Sequence, residues 1–151
     1  MKNRTDDLRI INTQELISPQ EIINSLSPSE KGLDTIINTR GHIKDILNKS
    51  LKKFMVVVGP CSIHDVEAAK EYATRLKKLS STLSDNCLII MRVYFEKPRT
   101  VIGWKGLIND PDLDGSFKIN KGIKLARKLL IDLAEMGIPC GHEFLDLVSP
   151  Q

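Results

Sequence analysis

A chain of 151 residues, of which 41% are hydrophobic and 27% charged, is long and apolar enough to bury a core of its own. Its 22 basic and 19 acidic residues leave a net charge of +3, which is too small to favour a nucleic acid as partner. Apolar runs are only a few residues long and the N-terminus has no apolar signal core, so we predict neither a membrane span nor secretion. Three widely spaced cysteines are typical of reduced thiols in a cytoplasmic protein: Cys61, Cys87 and Cys140.

The chain divides near residue 50, and residues 1–50 are predicted to form an N-terminal helical extension. Two sequences, Ser18-Pro19-Gln20-Glu21 and Ser27-Pro28-Ser29-Glu30, each combine a capping serine with proline and glutamate. They predict two helix starts and therefore a short first helix. The second helix has an apolar stripe at helical spacing that must pack on another element: Leu33, Ile36, Ile37, Ile43, Ile46 and Leu47.

Residues 51–151 alternate predicted strands with predicted helices. Strands are expected at residues 55–58, 88–93 and about 141–145, with helices from about Asp65 and from Asn120, whose side chain can cap its helix. The strands are apolar throughout, as parallel strands buried on both faces are. The first of these helices should face inward through six residues: Val66, Ala69, Ala73, Leu76, Leu79 and Leu83. This alternation indicates a parallel sheet with crossover helices, either an open doubly wound sheet or part of a (β/α)8 barrel.

Functional side chains are expected at the carboxyl ends of the strands, where both architectures place their ligands. Cys61 follows the first strand and could bind a divalent metal as a thiolate, although a small buried residue would explain the same position. Arg92 ends the second strand. Because arginine keeps its proton in a protein, Arg92 either reaches solvent or binds an anion.

Further polar residues follow the second and third strands. Lys97, Arg99 and Lys105 would bring four cations to one strand end, which favours phosphate and carboxylate ligands, although an exposed basic loop has the same composition. Glu143 could position a water, hold a basic side chain or form an ordinary salt bridge. No glycine-rich nucleotide loop follows any strand. The residues alone therefore indicate an α/β protein that binds a phosphorylated small molecule.

Three segments, in their order along the chain, resemble segments of the class I 3-deoxy-D-arabino-heptulosonate-7-phosphate (DAHP) synthases. Gly59-Pro60-Cys61-Ser62-Ile63-His64-Asp65 is similar to the metal-cysteine loop of that family. Arg92-Val93-Tyr94-Phe95-Glu96-Lys97-Pro98-Arg99-Thr100, followed by Gly103-Trp104-Lys105-Gly106-Leu107-Ile108, is similar to its substrate loop. Glu143-Phe144-Leu145-Asp146 is similar to its third strand, and the resemblance extends through essentially the whole chain.

The resemblance implies an α/β fold in which residues 51–151 form the first three βα units of a (β/α)8 TIM barrel, preceded by the extension at residues 1–50. It also implies the condensation of phosphoenolpyruvate with erythrose 4-phosphate and water to DAHP and phosphate, the first step of the shikimate pathway. A divalent metal (Mn, Fe, Co or Zn) would polarise the sugar aldehyde. Since the family's other metal ligands lie on later strands, we expect an incomplete barrel that is inactive by itself.

The resemblance also assigns roles to individual residues. Cys61 matches the metal ligand, and the matching catalytic residues are Arg92, Lys97 and Glu143. The substrate-binding set is Arg92, Lys97, Pro98, Arg99 and Thr100. An effector site for an aromatic amino acid is matched by Asp6, Asp7, Asp146, Leu147, Pro150 and Gln151.

The family resemblance implies a homo-oligomer, with the extension at its interface. A different class of function is a non-catalytic interaction module, in which residues 1–50 dock on full-length synthase subunits. This alternative needs only the extension, whereas catalysis needs the strand ends.

Overall fold

The computed structural model describes residues 6, 8, 10, 12–99 and 102–145. In chain order its elements are α1 (Pro19–Ser25), α2 (Glu30–Leu47), β1 (Phe54–Val58), α3 (Val66–Thr82), β2 (Cys87–Arg92), α4 (Ile119–Glu135) and β3 (Cys140–Gly141). The strands form one parallel sheet in the order β1-β2-β3, with Met55 opposite Leu88 and Met91 opposite Cys140. The predicted α/β class with a parallel sheet is confirmed. None of the described helices is long and apolar enough to cross a membrane.

Helices α3 and α4 cover one face of the sheet and bury the core. Ile89 and Met91 of β2 join that core, together with Val93 just beyond the strand. The helices contribute mainly small and leucine side chains: Ala69, Ala73, Leu76, Ala126, Leu129 and Leu133. Because side chains alternate along a strand, Ile90 and Arg92 belong to the opposite face of β2. The core therefore lies on one face of the sheet, and Arg92 lies on the other.

The first strand is much more exposed than its apolar composition predicts. Every residue of β1 is exposed, and Phe54 and Val57 are 77% and 53% accessible. Within the described residues β1 pairs only with β2, so it is an edge strand with one row of backbone groups open. The prediction of a buried first strand is therefore wrong for this structure.

Two other boundaries differ from the sequence-based predictions. Leu79 and Leu83 at the end of α3 are 51% and 37% exposed rather than inward-facing. A helix of 17 residues is roughly 25 Å long, whereas strands of five or six residues are roughly 20 Å or less, so the last turn extends past the sheet. The third strand is only Cys140–Gly141, because β2 ends at Arg92, opposite Gly141.

Both helices of the extension begin with a capping serine, as predicted, but the cap of the second helix lies two residues later than expected. Ser18 caps α1 by accepting a hydrogen bond from the amide of Glu21. The second helix is capped by Ser29 rather than Ser27. Both the amide and the hydroxyl of Ser29 donate to the carboxylate of Glu135 in α4, at 2.7 Å each. The glutamate of this capping arrangement therefore comes from a distant helix, which a local motif cannot reveal.

The predicted apolar stripe of α2 is only partly used. Leu33, Ile37 and Leu47 are 44%, 62% and 67% exposed, while Ile36 and Ile43 are half-buried and line a groove beside Ile90. Helix α2 packs against α4, and the hydroxyl of Thr35 donates to the carbonyl of Ala134 at 2.9 Å. Half of the six stripe residues are therefore exposed.

Asn120 connects the extension to α4 instead of capping the helix. The cap residue is Lys118, which makes no side-chain capping bond. The amide side chain of Asn120 accepts from the backbone of Ile17 at 2.9 Å and donates to the carbonyl of Glu15 at 3.0 Å. The prediction of an Asn120 cap is wrong because its hydrogen-bonding groups face a segment more than 100 residues away.

We expect Asn120→Ala to lower the free energy of unfolding by about 1–2 kcal/mol, the usual effect of losing hydrogen bonds to partly buried backbone groups. Because Ile17 and Glu15 would lose their partner, limited proteolysis should cut before α1 faster than in the wild type. Asn38→Ala, at an exposed position of α2, is the matched control. Equal unfolding energies and equal cleavage in the two variants would contradict this role.

Candidate active site

Three side chains from two segments meet at the carboxyl ends of β1 and β2. Cys61 follows β1, Arg92 ends β2 and Lys97 lies in the segment after β2. The ammonium of Lys97 donates to the sulfur of Cys61 at 2.9 Å, and the guanidinium of Arg92 donates to the carbonyl of Cys61 at 3.3 Å. The amide of Ile63 donates to the carbonyl of Tyr94 at 2.7 Å, which joins the two segments through their backbones.

The electrostatic surroundings of Cys61 favour its thiolate. The hydrogen bond and the charge of Lys97 lower the pKa of the Cys61 thiol below its ordinary value, and the charges of Arg92 and Arg99 add to this effect. The thiol is exposed, so the alternative of a small buried residue does not describe it. By contrast, burial raises the pKa of the Cys140 thiol to about 12. Of these two cysteines, only Cys61 has surroundings that favour the thiolate, the form that binds metals and acts as a nucleophile.

Arg92 is held in place but keeps part of its bonding capacity. Its guanidinium carbon lies 4.2 Å from the centroid of the Tyr94 ring, so the Tyr94 ring stacks on this side chain. Among the described residues, its buried Nε atom has no hydrogen-bond partner and Arg92 forms no ion pair with a carboxylate. A buried donor without a partner is costly, which is the condition expected of an anion-binding arginine.

The segment after β2 folds back on itself and carries the other cations. Glu96 forms an antiparallel bridge with Gly106, and the amide of Lys97 donates to the carbonyl of Lys105 at 3.0 Å. Trp104 anchors the far side, since its indole donates to the carbonyl of Asp110 at 2.8 Å. The side chains of Pro98, Arg99 and Lys105 are exposed, and Thr100 lies outside the described residues. The structure therefore brings Arg92, Lys97 and Arg99 towards Cys61, but it gives Lys105 only a backbone role.

Glu143 is buried beneath this segment, where one of its carboxylate oxygens holds two backbone amides. Its Oε1 accepts hydrogen bonds from the amides of Phe95 and Glu96, at 2.8 and 2.7 Å. Its Oε2 is buried and has no hydrogen bond within the part of the chain that the structure describes, although Nδ1 of His142 is 3.0 Å away. Sequence reasoning did not identify this clamp, because its partners are 47 and 48 residues away and are backbone atoms.

The donor chemistry of Cys61 suits one bond to a divalent metal. The sulfur is exposed, its pKa is lowered, and in this structure it already binds a cation, the ammonium of Lys97. Among the described residues no group of three or more His, Cys, Asp or Glu side chains could hold a metal. Cys61 therefore fits as a single ligand, whose co-ligands would lie outside the described residues.

The residues that were matched to an effector site fall almost entirely outside the described part of the chain. Asp6 is described and exposed. The remaining positions lie outside the described residues: Asp7, Asp146, Leu147, Pro150 and Gln151. The effector assignment stays a prediction.

Fold and site together define an α/β protein whose parallel strands deliver a thiol and several cations to one end of the sheet. A family model described as the DAHP synthetase I family matches residues 21–151, and the chain belongs to that family. The Phe-sensitive phospho-2-dehydro-3-deoxyheptonate aldolase of Escherichia coli (strain K12) is 50% identical over 151 residues, which is 100% of this chain and 43% of that protein. The Trp-sensitive aldolase of the same strain is 50% identical over 150 residues, which is 99% of this chain and 43% of that protein.

A solved relative has the same arrangement of elements. The structure of phospho-2-dehydro-3-deoxyheptonate aldolase from Francisella tularensis SCHU S4 matches with a TM-score of 0.89 at 51% identity. The match covers 93% of this chain and 41% of that chain. The chain therefore spans less than half the length of the relatives that it matches.

Proposed function

We propose that this chain supplies one part of the active site of a DAHP synthase, which condenses phosphoenolpyruvate with erythrose 4-phosphate and water to give DAHP and phosphate. The observation that carries the proposal is the meeting of Cys61, Lys97 and Arg92 at the strand ends, with an unpaired buried donor on Arg92. Membership of the family supports the proposal, as do two relatives that are 50% identical to this chain and are named for this activity.

The finer fold belongs to the same proposal. Residues 51–151 would be the first three βα units of a (β/α)8 barrel. The repeating unit of such a barrel is a strand followed by a helix, and three parallel strands in sequence order with helices between them agree with it. The structural similarity to a complete synthase chain supports this assignment.

Arg92 and Lys97 would bind the phosphate and carboxylate of phosphoenolpyruvate through charge-assisted hydrogen bonds. Pro98, Arg99 and Thr100 would form the loop that holds erythrose 4-phosphate. In the reaction, the methylene carbon of phosphoenolpyruvate forms a bond to the aldehyde carbon, water adds to the phosphate-bearing carbon, and phosphate leaves with cleavage of its C–O bond. Glu143 would keep the loop in position by its two backbone contacts.

Cys61 would hold a divalent metal together with ligands outside the described residues. Such a metal supplies Lewis-acid polarisation of the aldehyde oxygen when it is bound. The contribution of this chain is the thiolate, which Lys97 and the neighbouring arginines stabilise.

Regulation and assembly complete the proposal. The relatives are named Phe-sensitive and Trp-sensitive, which supports feedback by an aromatic amino acid. The proposed effector residues are Asp6, Asp7, Asp146, Leu147, Pro150 and Gln151. A homo-oligomer with the extension at its interface and a cytoplasmic location are further parts of the proposal, the latter because the three cysteines are separate free thiols.

Titration of the chain with phosphoenolpyruvate tests the anion site directly. We expect Arg92→Leu to weaken binding about ten- to a hundredfold, the usual effect of losing a hydrogen bond between charged groups. Arg75→Leu is the matched control, because Arg75 is exposed on α3 and pairs with Glu71. Equal affinities of the two variants would refute the assignment of Arg92.

Phosphate release tests the reaction. The chain is supplied with phosphoenolpyruvate, erythrose 4-phosphate and Mn²⁺, alongside a Cys61→Ala variant. Turnover that the variant lacks would show that the described site works in this chain. If a folded chain binds phosphoenolpyruvate but releases no phosphate, it carries the substrate site without the complete catalytic set, as proposed. A folded chain that does neither would refute the proposed function.

A further inference from the structure

His142 lies directly beside the Glu143 clamp, and its surroundings determine where its proton is. Nδ1 is 3.2 Å from the carbonyl oxygen of Val93 and 3.0 Å from Oε2 of Glu143. Both neighbours can only accept hydrogen bonds when Glu143 is ionised. An unprotonated Nδ1 would place three lone-pair atoms together. The proton of a neutral His142 ring therefore belongs on Nδ1.

The orientation of the ring is also restrained. The side chain of His142 is only 19% exposed. Its ring packs at a tilt against Phe95, with 5.2 Å between centroids, and its other aromatic neighbour is Phe144 at 6.4 Å. The ring thus contacts the same residue whose amide Glu143 holds. Packing and hydrogen bonding place Nδ1 at the position where the free oxygen of Glu143 needs a donor.

We propose that His142 is a positioning residue for the substrate loop: its Nδ1–H supplies the missing partner of Glu143 Oε2 and thereby fixes the carboxylate that holds the amides of Phe95 and Glu96. A buried carboxylate oxygen without a donor is costly, and a small rotation of the ring, shared with Val93, brings the proton to it. Lys97 directly follows the clamped amides, so the clamp sets where its ammonium meets Cys61. The inference rests on the proposed function, since it concerns the loop assigned to phosphate binding.

Two variants distinguish the hydrogen-bond donor of His142 from the packing of its ring. His142→Asn keeps an N–H group close to the position of Nδ1, whereas His142→Leu keeps an apolar side chain of similar size without a donor. We expect the leucine variant to lose amide hydrogen-exchange protection at Phe95 and Glu96 by about ten- to a hundredfold, as loss of one hydrogen bond to a carboxylate produces. The asparagine variant should stay close to the wild type. The amide of Leu133 in the core should be unchanged in both.

The ring nitrogens of His142 give a second readout that needs no variant. In a long-range ¹H–¹⁵N correlation spectrum, a ring with a protonated Nδ1 is expected. A ring protonated at Nε2 alone would overturn the proposal, even if the leucine variant fails to fold. Equal protection of Phe95 and Glu96 in both variants would overturn it as well. Neither measurement depends on phosphoenolpyruvate, so failure here is distinguishable from failure of the proposed anion site.

Discussion

Replacing Gly106 with alanine is expected to lower the free energy of unfolding by about 3–5 kcal/mol, from a disfavoured left-handed backbone together with a steric clash. Gly106 has φ +107°, and a Cβ there would lie 2.1 Å from the carbonyl oxygen of Phe95 and 2.6 Å from Cα of Glu96. Neither contact is with a flexible side-chain end. The clash can be relieved only by opening the Glu96–Gly106 bridge, which closes the loop after β2.

Substitutions at two other glycines distinguish the backbone strain from the steric clash. Gly115 also has a positive φ, +72°, but a Cβ there meets nothing within 4 Å. Gly115→Ala should therefore cost only the left-handed backbone term, about 1–2 kcal/mol. Gly41 lies inside α2 in open space, so Gly41→Ala should stabilise the chain by about 0.5–1 kcal/mol. Chemical denaturation of the three variants gives the comparison, and a Gly106 variant no less stable than the Gly115 variant would disprove the clash.

Lys97→Met is expected to slow alkylation of Cys61 severalfold near neutral pH. The Lys97 hydrogen bond and charge are the largest causes of the lowered pKa of the Cys61 thiol. Removing the ammonium raises that pKa, so a smaller fraction of the thiol is ionised and the rate–pH curve moves to higher pH. Arg92 and Arg99 remain and should keep part of the effect.

The measurement is iodoacetamide labelling followed by mass spectrometry of the peptide that contains Cys61, with a chelator present to exclude metal. Lys78→Met removes the same charge from an exposed position of α3 and should leave the rate unchanged. Cys140 serves as an internal standard, since burial raises its pKa to about 12 and it should label slowly in every variant. An unchanged rate–pH curve for Cys61 in the Lys97 variant would show that the lysine does not stabilise the thiolate.

Local patterns were sufficient for most of the secondary structure and for part of the site. The capping serine of α1, the strand–helix alternation and the position of Arg92 at a strand end follow from residues that are close in sequence. Parallel strands present their carboxyl ends at one edge of a sheet, so the strand pattern alone predicts that Cys61 and Arg92 lie near each other. The contacts between their segments agree with that expectation.

The predictions that proved wrong are those that depend on distant partners. The predicted cap at Asn120 is a tether to Ile17, and the start of α2 is completed by Glu135. Burial of β1 was inferred from composition, but burial requires neighbouring elements, and within the described residues β1 has one strand partner. The predicted inward face of α3 failed at its last turn for the same reason.

The sequence by itself determined the order of the elements, the helix starts that use local caps, and the residue types at the strand ends, because these depend on short-range backbone and side-chain preferences. Only the tertiary structure decided that Glu143 clamps the loop at Phe95, that His142 lies beside the free oxygen of that carboxylate, and that Lys97 reaches the sulfur of Cys61. These contacts join residues 36 to 48 positions apart or depend on ring orientation at hydrogen-bond distance. A linear pattern contains no information on such distances, since packing of the helices against the sheet sets them.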